Sequence, residues 1–184
     1  MHPEELQKNP PYAIILYYSK KGFWEGFAEI VFLEKRVPAR KTHSMKKVLV
    51  VDGQGGKIGR GLVSQLVNYP DLLEVTAVGT NSMATANMIK GGAVRAATGE
   101  NSIVVMAARS DIIAGPLGII IADALLGEIT PAAACAVSSS PAVRVLIPMN
   151  KCENIVVGVQ EMPLSSMIDA AVKEIVRIAK DDTP

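Results

Sequence analysis

Directly after a short apolar run the chain reads Asp52-Gly53-Gln54-Gly55-Gly56-Lys57-Ile58-Gly59-Arg60, a glycine-rich segment suited to holding an anion. A turn that receives a phosphate needs a glycine at the sharp exit from a strand. It also needs a side-chain-free position where backbone meets the anion, and a third glycine where the next helix packs on the strand. Gly53, Gly55 and Gly59 can take those roles, with one residue more between the last two than in the commonest spacing. A helix opening here points free N–H groups and its positive dipole end at one spot, which favours an anion without any side chain. Lys57 in that first turn opposes the dipole, an arrangement that a bound phosphate would offset. Gly53, Gln54, Gly55, Gly56, Lys57, Ile58 and Gly59 are therefore the expected binding loop, against the plainer reading of a glycine-rich turn without ligand.

Further polar groups fall after other apolar runs. Where a dinucleotide binds, the end of the second strand commonly carries an acid for the ribose hydroxyls of NAD, or an arginine for the extra phosphate of NADP. Here the chain reads Gly79-Thr80-Asn81-Ser82. Thr80 and Asn81 can hydrogen-bond a ribose without choosing between the cofactors, and Asn81 or Ser82 can equally cap a helix. Gly115 and Pro116 are expected at the same site from the fourth strand. Glu100 and Asn101, and Lys151 with Cys152, are the candidates for catalysis. Each has a structural counterpart: a helix-start acid in a turn for the first pair, a short connection for the second. Cys152 beside Lys151 could be a low-pKa thiol but has no histidine partner. Cys135, on an alanine-rich stretch, reads as core, and Glu128 as a surface charge near a helix start. Both histidines, His2 and His43, precede residue 45, so no Ser-His-Asp or Cys-His set can form after it. Two cysteines without a C-x-x-C pair build neither a zinc site nor a disulfide framework.

The elements that must position these groups follow from periodicity. Val48 to Val51 is a continuous apolar run, the pattern of a strand buried on both faces. Residues 58–67 form a helix with Ile58, Leu62, Leu66 and Val67 on one face. Strands over 74–78 and 93–97 alternate with a helix over 83–90. Residues 102–108 fit helix or strand, with the flanking charges favouring helix. A strand over 111–114 precedes a helix over 119–126. Thr130-Pro131 is an N-cap with proline at the first helical position, opening a helix over 132–137. Strands over 143–147 and 155–159 and an amphipathic helix over 165–180 complete the chain. Alternating strands and helices make a doubly wound, mainly parallel sheet in three α/β/α layers the expected fold. With strand order 3-2-1-4-5, the polar groups converge on the glycine loop.

Composition bounds the function. Of 184 residues, 49% are hydrophobic and 20% charged, enough for one core and not for a second full domain. A net charge of +1 supplies no field for nucleic acid or an anionic membrane. The apolar stretch 112–122, broken by Gly115, Pro116 and Gly118, falls short of the roughly 20 residues that cross a bilayer. With no export signal, the expected location is the cytoplasm. Seven of the eight aromatic residues lie before residue 45, the exception being Tyr69. Residues 1–44 thus read as an extension, either a poorly ordered recognition arm or a mis-called start ahead of Met45-Lys46-Lys47. The domain proper is 45–184. Its apolar helices around 112–143 exceed what a small sheet covers, so a homo-oligomer is expected.

Three resemblances refine this reading. The loop Gly53 to Arg60 resembles the nucleotide loop of dihydrodipicolinate reductases and other Rossmann NAD(P) proteins, over the first βα unit alone and without the reductases' catalytic histidine. From Met45 nearly to the C-terminus the chain resembles a family of short, functionally uncharacterised bacterial proteins. That likeness runs through Val51 to Gly56, Ala77 to Asn81, Ala97 to Asn101, Ala114 to Ile119, Leu126 to Pro131 and Ile147 to Asn150. Members of that family often carry glycine where this chain has Lys57. Ala84-Thr85-Ala86-Asn87 looks like a short motif of flavin-dependent decarboxylases. The expectation is a Rossmann-like protein that binds NAD, NADP or a related phosphate ligand at 53–59, as a small oxidoreductase. The alternatives are a non-catalytic ligand sensor or assembly protein, and a flavin-binding protein.

Overall fold

The computed structural model describes residues 45–149 and 154–181. The expectations for residues 1–44, and for Lys151 and Cys152, lie outside them. The element order is β1 (Lys46–Asp52), α1 (Lys57–Leu66), β2 (Leu73–Gly79), α2 (Ser82–Lys90), β3 (Arg95–Thr98), α3 (Glu100–Ala107), β4 (Ile112–Pro116), a 3-10 turn (Leu117–Ile120), α4 (Pro131–Ser139), β5 (Val143–Ile147) and α5 (Leu164–Lys180). All five strands are parallel, in the order β3-β2-β1-β4-β5. This is the Rossmann-type arrangement: β1 is central, and the order reverses between β1 and β4.

The apolar run of β1 explains its place. Val48 and Val50 pack on one face with Leu62, Leu66, Met88, Ile168 and Ile175 from α1, α2 and α5. Leu49 and Val51 pack on the other with Ile103, Ile129, Ala133 and Val137, from α3, α4 and the segment before α4. All four strand residues are essentially inaccessible to water. A strand covered on both faces has no polar side to alternate with, hence the unbroken apolar sequence.

Three expectations are corrected. No α-helix forms over 119–126: after the 3-10 turn, Asp123, Leu125 and Leu126 take φ values of 61°, 57° and 61°, and Gly127 one of 84°. Left-handed backbone cannot continue a right-handed helix. The segment closes instead as a tight loop, with the Asp123 amide donating to the Ile129 carbonyl at 2.7 Å and the Ile129 amide to that of Ala124 at 3.2 Å. No strand forms over 155–159, where Val157 and Gly158, the latter at φ 86°, make a turn. Cys135 is exposed, because the inward stripe of α4 runs through Ala133, Ala134 and Val137. The ambiguous segment is α3, and Thr130 caps α4 by accepting from the Ala133 amide at 3.2 Å.

Candidate functional site

The glycine loop leaves the carboxyl end of β1, beside the point where the strand order reverses, which is where open α/β sheets bind ligands. Its glycines have separate reasons. A Cβ at Gly53 would lie 2.8 Å from Thr80 Oγ1 and from Glu128 Oε2. Gly56 has φ 63°, and a Cβ there would come within 2.6 Å of the Ala84 backbone. At Gly59 it would meet Met88 Sδ at 2.5 Å and Asp52 Cβ at 2.8 Å, the close packing expected of the third glycine. Gly55 is different. A Cβ there has nothing within 4 Å among the described residues, and its φ is an ordinary one, so their packing does not require glycine at this exposed position.

Two carboxylates organise the loop, and both were missing from the expected site. Asp52, buried at the end of β1, accepts from the Gly53 amide at 2.8 Å and the Gly59 amide at 2.6 Å. Burial pushes its pKa up, against the lowering effect of the Gly53, Ile58 and Gly59 amides, and the charge of Glu128 raises it further. The first amides of α1 are thus partly satisfied from inside. Glu128, half-buried, reaches the loop from the segment ahead of α4. Its Oε2 accepts from the Gln54 amide at 2.8 Å, from Asn81 Nδ2 at 2.9 Å and from the Thr80 hydroxyl. Desolvation pushes its pKa up, but these hydrogen bonds outweigh it and hold the carboxyl below its usual value. The Gly55 and Lys57 amides, by contrast, have no hydrogen-bond partner among the described residues.

Residues of α2 hold the loop from the side. Asn81 caps α2 by accepting from the Ala84 amide at 2.9 Å while its Nδ2 donates to the Gln54 carbonyl at 3.0 Å. Asn87 Nδ2 donates to the Gly55 carbonyl at 2.8 Å. Thr85 joins α2 to β3 through its hydroxyl contact with Thr98 at 2.7 Å.

Of the expected residues, Gly53 to Gly59, Thr80 and Asn81 come together. Gly115 and Pro116 are the buried last residues of β4, and a Cβ at Gly115 would collide with the Val51 carbonyl oxygen, so strand packing alone requires that glycine. Glu100 and Asn101 open α3 at the carboxyl end of β3, exposed, with Glu100 in the first turn where an acid complements the dipole. Asp52 had a local signal, as the polar residue ending an apolar strand just before the glycines. Glu128 had no local signal, since 74 residues separate it from Gln54, and its one pointer was its place in the family-like segment Leu126 to Pro131. A cleft of about 460 Å³ lies elsewhere, between Pro148-Met149, residues 159–163 and Met167, with an apolar lining apart from Gln160 and Glu161. The glycine loop is the better candidate because its polar groups converge. Among the described residues no group of three or more metal-ligating side chains forms, and no helix is long and apolar enough to cross a membrane.

No curated protein matches the chain. Among solved structures it is similar to a dodecameric FMN-dependent UbiX-like decarboxylase from Escherichia coli O157:H7, at 21% identity over 73% of this chain and 76% of that one, with a TM-score of 0.38. The profile of a domain of unknown function, DUF3842, matches residues 47–180, and the chain belongs to that family.

Proposed function

We propose that this protein binds a dinucleotide, NAD or NADP, or a closely related phosphate ligand, at the carboxyl edge of its sheet, with a phosphate over Gly55 and Lys57. The observation that carries the reading is Gly55: exposed, with open space where a side chain would stand and no backbone need for glycine. Beside it the Gly55 and Lys57 amides lack partners among the described residues, and the Lys57 ammonium adds charge of the right sign. Phosphate oxygens satisfy such amides where a neutral ligand would do so less strongly. A bound nicotinamide dinucleotide would supply hydride transfer, and the protein would hold it by the loop backbone.

A flavin nucleotide is the second reading, favoured by the contact of the Ala84 to Asn87 motif with the loop, through Asn87 on the Gly55 carbonyl and Ala84 against Gly56. Self-association in the cytoplasm belongs to the same proposal. Ile155 and Val157 are 91% and 93% exposed, more apolar side chain than a lone subunit gains by leaving in water. Native mass spectrometry of the purified protein tests the ligand. A co-purifying dinucleotide or flavin of matching mass is expected, and a ligand without phosphate would overturn the proposal.

A further inference from the structure

Among the described residues, Glu128 is engaged through only one oxygen of its carboxylate. Oε2 accepts from the Gln54 amide, Asn81 and Thr80, whereas Oε1 accepts from no donor among the described residues. The residue is half-buried, so Oε1 is an acceptor fixed in place by the bonds to its twin oxygen. The segment that delivers it is itself fixed. Leu125 and Ile129 are anchored in the core, the backbone closes through Asp123, Ala124 and Ile129, and the Thr130 cap follows at once. The carboxylate therefore stands at the carboxyl end of β2, beside Thr80 and Asn81, where the strand itself carries no acid.

An anionic acceptor in that place is satisfied by a donor such as a hydroxyl. It repels an anion brought against Oε1 itself, whereas the phosphate of the proposed site meets the Gly55 and Lys57 amides. We infer that Glu128 is the specificity-determining residue of the site: it accepts from a free ribose hydroxyl and rejects a nucleotide that carries a phosphate on that hydroxyl. This rests on the dinucleotide reading above, and it selects NAD over NADP. The acid comes from the segment between β4 and α4 instead of from β2, which is why the end of β2 carries only neutral side chains.

Calorimetric titration of the full chain with NAD and with NADP tests this, since the two differ by that phosphate alone. Binding of NAD about tenfold to a hundredfold tighter than NADP is expected, the range set by a hydrogen bond to a charged group. Glu128→Gln keeps an oxygen for the three internal donors and turns an NH2 group outward, so the preference should vanish or reverse. Glu128→Asp, which keeps the charge but withdraws it, should weaken NAD without improving NADP and guards against a folding defect in the first variant. Equal affinity of the parent for both ligands, or an unchanged ratio in folded Glu128→Gln, would overturn the inference and leave the phosphate reading standing. Failure of the parent to bind either would remove both.

Discussion

Single residues decide this site, and they do so by polarity more than by shape. Asp52 and Glu128 both face backbone amides of one loop, yet their proton affinities move apart: burial dominates at Asp52, and hydrogen bonds prevail at Glu128. The consequences for stability have opposite signs. Glu128 has its folded value below the ordinary 4.5, so its contribution is complete above that pH and disappears as the pH falls through the folded value. Asp52 has its folded value above the ordinary 3.8, so its ionisation costs stability as the pH rises through that value. Urea denaturation of the parent and of Glu128→Gln should therefore give a stability difference that is largest above pH 4.5 and shrinks in more acidic solution. A difference independent of pH would show that the carboxylate is not stabilised by its donors. The glycine loop could be read from the sequence because its nine residues are contiguous and their types are dictated by backbone geometry. Gly56 was recognised as part of it, but its left-handed φ and its contact with Ala84 depend on where α2 packs. Glu128 reads from the sequence as a surface charge because its partner amide is set by folding and not by spacing.

At the scale of elements, periodicity was a sound guide wherever a segment had one exposed and one buried face. Helices α1 and α5 show this, with Leu62, Leu66, Ile168, Val172 and Ile175 turned inward as their spacing demands. Alternating strands and helices pointed to a doubly wound parallel sheet, and the order β3-β2-β1-β4-β5, the condition for the polar strand ends to converge, is the one the fold adopts. Periodicity failed where the backbone had a second demand on it. Residues 119–126 look helical by composition, but Ile119, Leu125 and Ile129 must all reach one core, and a loop with three left-handed non-glycine residues does that where a helix would not. Such conformations cost of order 1–3 kcal/mol each and persist where the surroundings impose them. The loop that bears this strain is the one that carries Glu128. Residues 155–159 are an apolar, mostly β-branched run like that of a strand, but the Val157-Gly158 turn interrupts them. Cys135 was misplaced because an alanine-rich helix offers almost no contrast between its faces.

For the whole molecule, the described chain buries the three central strands of its sheet, leaves β3 and β5 largely exposed, and also leaves apolar side chains in water. Leu126 and Val94 are each 96% exposed, and Ile155 and Val157 nearly as much. Static light scattering on dilute protein should give a mass of two or more chains. Ile155→Asp combined with Val157→Asp should return it toward that of one chain, since a charge at a buried contact costs more than the contact supplies. A single-chain mass for the parent would exclude self-association through this surface.

The proposed phosphate site depends on Gly55 more than on any other residue. Gly55→Val puts a branched side chain into space left open among the described residues, so its unfolding free energy should stay within about 0.5 kcal/mol of the parent's. The same side chain would occupy the approach of a phosphate to the Gly55 and Lys57 amides. Calorimetric titration of parent and variant with a panel of nucleotides is the decisive measurement. Binding by the parent that is lost in a fully folded Gly55→Val is the predicted result, and equal affinity in the two proteins would contradict it.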